Sequence, residues 1–434
     1  MRETYSWSWV ETQVAQTLEV WNGSAARQEH AGPRYNPDEQ KKREKAYDKA
    51  LREVEREAKR SPRTRAERLE AQERITASFA RFSAAALDLP GDAVQLLTDD
   101  FLPVGTKLAR WARRFDESLS MADIIQACRN AWTACGLQPL LGARVELTPS
   151  ILGYSLLYPY TDNFLDRVDI TTEAKRRFSE RFRERLRGEN ISAQNSHEAA
   201  LWALVELIEG QYPRVYHPQV FDCLLAIHRA QEDSVAQLTG GDPCTNPDVL
   251  RMSCAKGGSS VLADACLAHG WLSEQESRFS FAWGVLLQLG DDLQDVREDL
   301  QRGSTTLFSS AAAQGTPLDT LATQLLSFSE SVGARMDDLP HGTPMLKDLL
   351  RMSWRSLIVG AVADSHAYFT PEFLEETEHS SPFRFEFLRA RRKRLASRQG
   401  LYATLFDAFL EAPEEDNDEL PLPSAELVAE AGIF

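Results

Sequence analysis

Gln288-Leu-Gly-Asp291-Asp292-Leu-Gln-Asp295-Val-Arg-Glu298-Asp299 is the stretch from which the rest of the chain can be read. At 3.6 residues per turn, Asp291, Asp295 and Asp299 share one face of a helix that meets no breaker after Gly290. Like charges at that spacing repel by a few tenths of a kcal/mol per pair, roughly, and a bound cation would remove the cost. The run Phe279-Ser-Phe-Ala-Trp-Gly-Val-Leu-Leu-Gln288 leads into the acids as an apolar, helix-compatible segment that predicts burial. Acids continuing the line of a buried helix point to a cavity mouth.

Outward from this stretch, residues 77–411 repeat the same pattern. Met121–Cys135, Glu198–Leu207, Val220–Ala230, Ser260–His269, Leu318–Leu326 and Leu346–Val362 are apolar at helical spacing, and strand-like alternation is nearly absent. The expectation is an all-α domain of mutually packed helices. Before it, residues 38–76 mix acids and bases densely, with pairs such as Glu53 and Arg56 at helical separation, so residues 1–76 read as a charged helical arm broken at Ser61-Pro62. After it, residues 412–434 are acidic and proline-interrupted and read as a disordered tail. No repeat of 20–50 residues is visible.

Composition narrows the class of partner. The chain has 434 residues, 43% of them apolar, enough for a sizeable core. A net charge of −16 argues against nucleic-acid binding, because a phosphate backbone would be repelled. The first residues contain Glu3, Glu11 and Glu19 and resemble neither a signal nor a transit peptide, and no segment is apolar for the length of a spanning helix. A soluble, cytoplasmic location is the expectation. The six cysteines form no Cys-x-x-Cys pair and read as buried thiols; no His-Glu-x-x-His or His-Asp sequence occurs.

A second carboxylate pair stands in Tyr158-Pro-Tyr-Thr-Asp162-Asn163-Phe-Leu-Asp166, again at i and i+4, with Pro159 suited to a first helical turn. Magnesium prefers carboxylate and phosphate oxygens, so two facing helices of this kind suit several Mg2+ ions around a diphosphate. Cleaving a carbon–oxygen bond there leaves an allylic cation, which needs a dry cavity with aromatic faces. Tyr154, Tyr158, Phe164, Phe281 and Trp283 are the aromatic residues near the two clusters.

Taken together, the two clusters resemble the class I isoprenoid synthase superfamily, whose members carry two aspartate-rich motifs on opposing helices of an all-α barrel. Gln288-Leu-Gly-Asp-Asp-Leu-Gln-Asp295 is similar to the Gln-x-x-Asp-Asp-x-x-Asp motif of trans-prenyltransferases. The longer string to Asp299 resembles the squalene/phytoene synthase form, Leu-Gln-x-x-Asn-x-x-Arg-Asp-x-x-Glu-Asp, and also overlaps the three ligand positions of terpene cyclases. Asp295 there stands in place of a hydroxyl residue. Asn163 departs from the Asp-Asp-x-x-Asp of chain-elongating enzymes, so Asp162-Asn-Phe-Leu-Asp166 looks more like squalene/phytoene synthases and the bacterial large terpene synthases.

The resemblance covers roughly residues 120–405 and implies a helical barrel around a central cavity. It further implies metal ligation by Asp162, Asp166, Asp291, Asp295 and Asp299, of which the first four trigger ionisation, and an isoprenyl diphosphate substrate. Arg251 and Lys256, the latter before Gly257 and Gly258, precede the second motif where the superfamily places diphosphate-binding cations. Cyclisation is the preferred outcome, with head-to-head condensation next and chain elongation third. A non-catalytic helical interaction protein with relic motifs is the alternative of another class. The basic run Arg389-Ala-Arg-Arg-Lys-Arg394 reads as a solvated face or a peripheral contact to an anionic membrane.

Overall fold

A computed structural model describes residues 5–24, 32–60, 62–167, 169–239, 246–410 and Leu420. Among these residues the chain is all-helical, with no strand. It opens with α1 (Trp7–Ser24) and a helical pair, α2 (Pro37–Arg60) and α3 (Arg65–Ala86). A short α4 (Gly91–Gln95) passes through a π-helical stretch, Leu96–Phe101, into α5 (Leu102–Phe115). The body follows as α6 (Met121–Leu140), α7 (Pro149–Asp166), α8 (Thr172–Arg187), α9 (Ser196–Gln211), α10 (Pro218–Thr239), α11 (Asn246–His269) and α12 (Glu274–Gln294). Beyond it come α13 (Val296–Arg302), α14 (Leu307–Ala313), α15 (Asp319–Asp337), α16 (Pro344–Asp364), α17 (Pro371–Glu378), α18 (Phe385–Ser397) and α19 (Gln399–Leu410).

Local chemistry sets many of the boundaries. Thr64 with Glu67, Ser120 with Asp123 and Ser273 with Glu276 form reciprocal capping boxes that satisfy amides the first turn leaves without partners. Thr148 caps α7 just ahead of Pro149, and Thr343 does the same ahead of Pro344. The six apolar runs read from the sequence fall on α6, α9, α10, α11, α15 and α16.

The centre of the body is α11, which packs against α1, α6, α7, α10 and α12. Val261, Leu262, Ala263, Ala265, Cys266 and Leu267 are all buried, so α11 is apolar almost all round, as a helix surrounded by others must be. It touches α12 at backbone distance: a Cβ placed on Gly284 would stand 2.0 Å from the Gly257 carbonyl oxygen. Glycine at both positions lets the two axes approach, and aromatic packing continues the seam, with Phe281 seated on Gly258.

Residues 7–24 belong to this body, since Val10, Val14 and Trp21 of α1 lie in the main core with α11 and α15. The charged segment 38–76 lies on α2 and α3, which pack together, and α19 packs on both. Tyr47, Phe82, Phe383 and Phe387 make a small satellite core there. Its acids face basic residues of α18: Asp48 accepts from Arg391 at 2.8 Å, and Glu55 from Arg394 at 2.6 Å and 2.9 Å. Arg389 donates to the Ala363 carbonyl and Arg392 to Asp364, so much of the basic run is engaged within the chain. No described helix is long and apolar enough to cross a membrane. The tail read as disordered, residues 412–434, lies outside the described residues apart from Leu420.

Candidate functional site

The acid trio keeps its register but not an unbroken helix. The sequence predicts a continuous helix through Asp299, whereas α12 ends at Gln294 and Asp295 forms a turn residue (φ −94°, ψ 8°) before α13. The amide of Asp295 still bonds to Asp291 and that of Asp299 to Asp295, both at 2.9 Å, which preserves the four-residue spacing. The interruption falls where Asp291, Asp292, Asp295 and Glu298 crowd within two turns.

Each acid of the trio holds its proton more tightly than an ordinary carboxylate. Asp291 sits in a recess; 45% of its side chain meets solvent, yet the surrounding protein raises its pKa, opposed by Arg129. Burial also raises Asp295, with Glu298 adding to it, and lifts Asp299 to about 6, with Asp295 adding to it. Asp292 faces α11 instead, where it accepts from Gln288 and Ser253, each at 2.8 Å, and burial lifts it to about 7.

The first pair lies at the end of α7. Asp162 accepts from Gln231 of α10 at 3.0 Å. Asp166 is the last residue of α7, and its side chain lies outside the described residues. Asn163, between them, donates to Asp123 at 2.7 Å and so points toward the start of α6.

Polar residues of α6 reach α7, α11 and α12. Arg129 on α6 donates to Asp291 at 3.3 Å, while its neighbour Asn130 donates to Asp264 of α11 at 3.1 Å and to Ser155 of α7 at 3.3 Å. Asp264 is fully buried, and burial raises its pKa well above the carboxylate range. Among the described residues no three His, Cys, Asp or Glu side chains are grouped to hold a single ion.

The two cations read from the sequence separate. Five residues along a helix turn the side chain by about 140°, and Arg251 accordingly lines a 260 Å³ cavity with Trp7, Glu11, Arg229 and Asp233 beside α1. Lys256 is the one whose charge is felt at Asp291. Arg351 of α16 bonds to Gly333, Asp337 and Asp348.

The aromatic residues also divide. Tyr154 and Tyr158 line a small pocket of about 20 Å³ between α7, α8 and α10. Phe164 stacks on His197 at 4.8 Å and touches Phe178 at 4.6 Å, on the α8–α9 side. Phe281 meets Trp9 of α1, and Trp283 lies against Phe279 and Trp354 with its indole nitrogen buried and without a partner.

Sequence reasoning overlooked Arg129, Asn130, Gln231, Ser253, Asp264 and Asp292. The adjacent polar pair Arg129-Asn130 inside the apolar Met121–Cys135 run was the available signal. The five cysteines among the described residues are free and buried, and burial pushes the thiols of Cys128 and Cys135 up to about 12; Cys244 lies outside those residues.

No protein-family model, curated protein or solved structure matches the chain.

Proposed function

We propose that the chain is a magnesium-dependent class I enzyme that ionises an isoprenyl diphosphate and cyclises or rearranges the resulting cation. The observation that carries this reading is the pairing of Asp162-x-x-x-Asp166 on α7 with Asp291-x-x-x-Asp295-x-x-x-Asp299 at the end of α12 and the start of α13, α7 and α12 both packing on α11. The donor set fits a hard cation: it is all carboxylate oxygen, and Asp291, Asp295 and Asp299 carry raised pKa values that a nearby positive charge would reverse. Magnesium, when bound, neutralises the leaving diphosphate.

In this reading Asp162, Asp166, Asp291, Asp295 and Asp299 hold the metal. Lys256 and Arg129 lie on the Asp291 side and bind diphosphate oxygens, with Arg129 exchanging its carboxylate partner for phosphate. Arg251 serves the same ligand only if α1 and α10 leave its cavity open toward it. Tyr154 and Tyr158 offer aromatic faces to the cation, and the 20 Å³ pocket they line must widen around a prenyl chain. Head-to-head condensation of two prenyl diphosphates is the nearest alternative, and chain elongation follows because of Asn163.

A helical interaction protein with relic motifs is the second reading. One measurement separates them. Purified protein with Mg2+ is incubated with geranyl, farnesyl, geranylgeranyl and longer prenyl diphosphates and diphosphate release is followed. Release with a hydrocarbon product supports the enzyme; no release at any chain length overturns it.

A further inference from the structure

His228 of α10 carries a bare nitrogen inside the bundle. The residue is 2% exposed, and its Nε2 lies 2.9 Å from the Ser179 carbonyl oxygen of α8. A carbonyl only accepts, so Nε2 holds the ring proton and donates it to Ser179. Burial lowers the pKa of the imidazole, which is neutral at pH 7 and keeps a lone pair on Nδ1. Nδ1 is buried and finds no partner among the described residues. A buried acceptor without a donor is unfavourable, so packing alone would be better served here by an apolar side chain. His228 lines the small pocket between α7, α8 and α10 with Tyr154, Tyr158 and Phe182, and the Phe182 ring meets the imidazole edge to face at 5.1 Å. Gln231 lines the same pocket and donates to Asp162 at 3.0 Å, so the pocket adjoins the first carboxylate pair.

We propose that His228 is the base that ends the reaction: Nδ1 takes a proton from a carbon next to the cationic centre, and the product leaves as an alkene. This rests on the reading of the chain as an enzyme that ionises an isoprenyl diphosphate. Charge balance requires such a step, since a carbocation becomes a neutral hydrocarbon only by losing a proton. The C–H bond breaks, its electron pair becomes the second bond of the alkene, and the proton moves to Nδ1 to give an imidazolium. A weak base suffices, because a C–H beside a carbocation is far more acidic than an imidazolium. Among the described residues lining the pocket, His228 alone carries a basic nitrogen. The new charge faces Glu232, whose carboxylate lies 3.6 Å from Nε2 and accepts from Arg183 at 2.6 Å. Burial keeps the imidazolium acidic, so it returns its proton to water once the product has left.

His228→Gln in the full chain tests this. Glutamine can still donate to the Ser179 carbonyl but offers no basic nitrogen, so it separates the base from the packing. Wild type and variant are incubated with Mg2+ and farnesyl or geranylgeranyl diphosphate, and diphosphate and organic products are measured together, the latter by gas chromatography and mass spectrometry. The variant is expected still to release diphosphate, while the wild-type alkene falls about tenfold or more as a share of product, replaced by isomers and by alcohols from water capture. Nitrogen-15 NMR of the wild type without substrate is expected to show Nε2 protonated and Nδ1 bare. No diphosphate release by the wild type sinks the enzyme reading itself. Release with the same alkene share in wild type and variant, or a proton on Nδ1 in the resting protein, overturns the role of His228 alone. So does complete loss of release in a variant of unchanged helical content, which would place the residue in ionisation instead.

Discussion

Asn130 on α6 donates through Nδ2 to Asp264 Oδ1 at 3.1 Å in the middle of the bundle, and Asp264 Oδ2 finds no partner among the described residues. This carboxyl is fully buried, and burial raises its pKa well above the usual range. The native state therefore holds this proton more tightly than the unfolded chain does. Stability falls as pH climbs from the unfolded carboxylate pKa toward the folded one. Asp264→Asn removes that dependence at almost constant shape and should raise stability at pH 7, by an amount set by how far the folded pKa lies above the unfolded one. Urea unfolding at pH 7 and pH 4 checks it: the gain should fade toward pH 4, and a variant no more stable than wild type at pH 7 contradicts the account.

Gly284→Ala addresses the α11–α12 seam. The new Cβ would stand 2.0 Å from the Gly257 oxygen and 3.0 Å from Val261 Cβ, and a backbone carbonyl on a buried helix cannot turn aside. The helices must separate, at a cost of about 3 kcal/mol or more. Gly360→Ala, where a Cβ meets nothing within 4 Å, is the control and should change stability little. Equal urea midpoints for the two variants would show that the seam is not tight.

Asp162→Ala and Asp295→Ala probe the proposed metal site from its two sides. Each removes a carboxylate without opening the core, so helical content should stay unchanged while Mg2+-dependent diphosphate release drops by a factor of 100 or more, on the order expected for losing a key electrostatic group. Turnover at the wild-type rate in either variant would mean that the two clusters do not form one site.

Glu55→Gln probes the junction of α2 with α18. Glu55 is 6% exposed in its side chain and accepts from Arg394 and Tyr402, with Arg398 in contact. Burial alone would raise its pKa, but the hydrogen bonds from Arg394 and Tyr402 more than offset this and hold it low. A lowered folded pKa stabilises above the unfolded value and is lost as pH falls through the folded one. The substitution should cost about 1–2 kcal/mol at pH 7, between an exposed and a fully buried pair. Its effect should shrink on acidification toward the folded pKa of Glu55; a cost independent of pH would point to packing instead.

Much of the secondary structure was legible because its causes are local. Ser273 lies three residues before Glu276, and a capping box needs nothing further. The apolar spacing of Val220–Ala230 is that of a helix wherever it lands. The break at Asp295 was not legible, since no glycine or proline marks it. Nor were the destinations of the aromatic residues: Phe164 and Phe281 look equivalent in sequence, yet one meets His197 and the other Trp9. Residues 38–76 looked like a solvated charged arm because Asp48 and Glu55 find Arg391 and Arg394 more than 300 residues away.

The sequence by itself determined that Asp291, Asp295 and Asp299 lie one above another, and that Asp162 and Asp166 do the same. That follows from the 3.6-residue repeat, which backbone hydrogen bonding imposes over any four residues. Only the tertiary structure decided that Arg129 reaches Asp291, that Gln231 reaches Asp162, and that Arg251 turns toward α1 while Lys256 stays on the Asp291 side. Those meetings depend on how whole apolar faces pack around α11, a sum over the core that no short stretch contains.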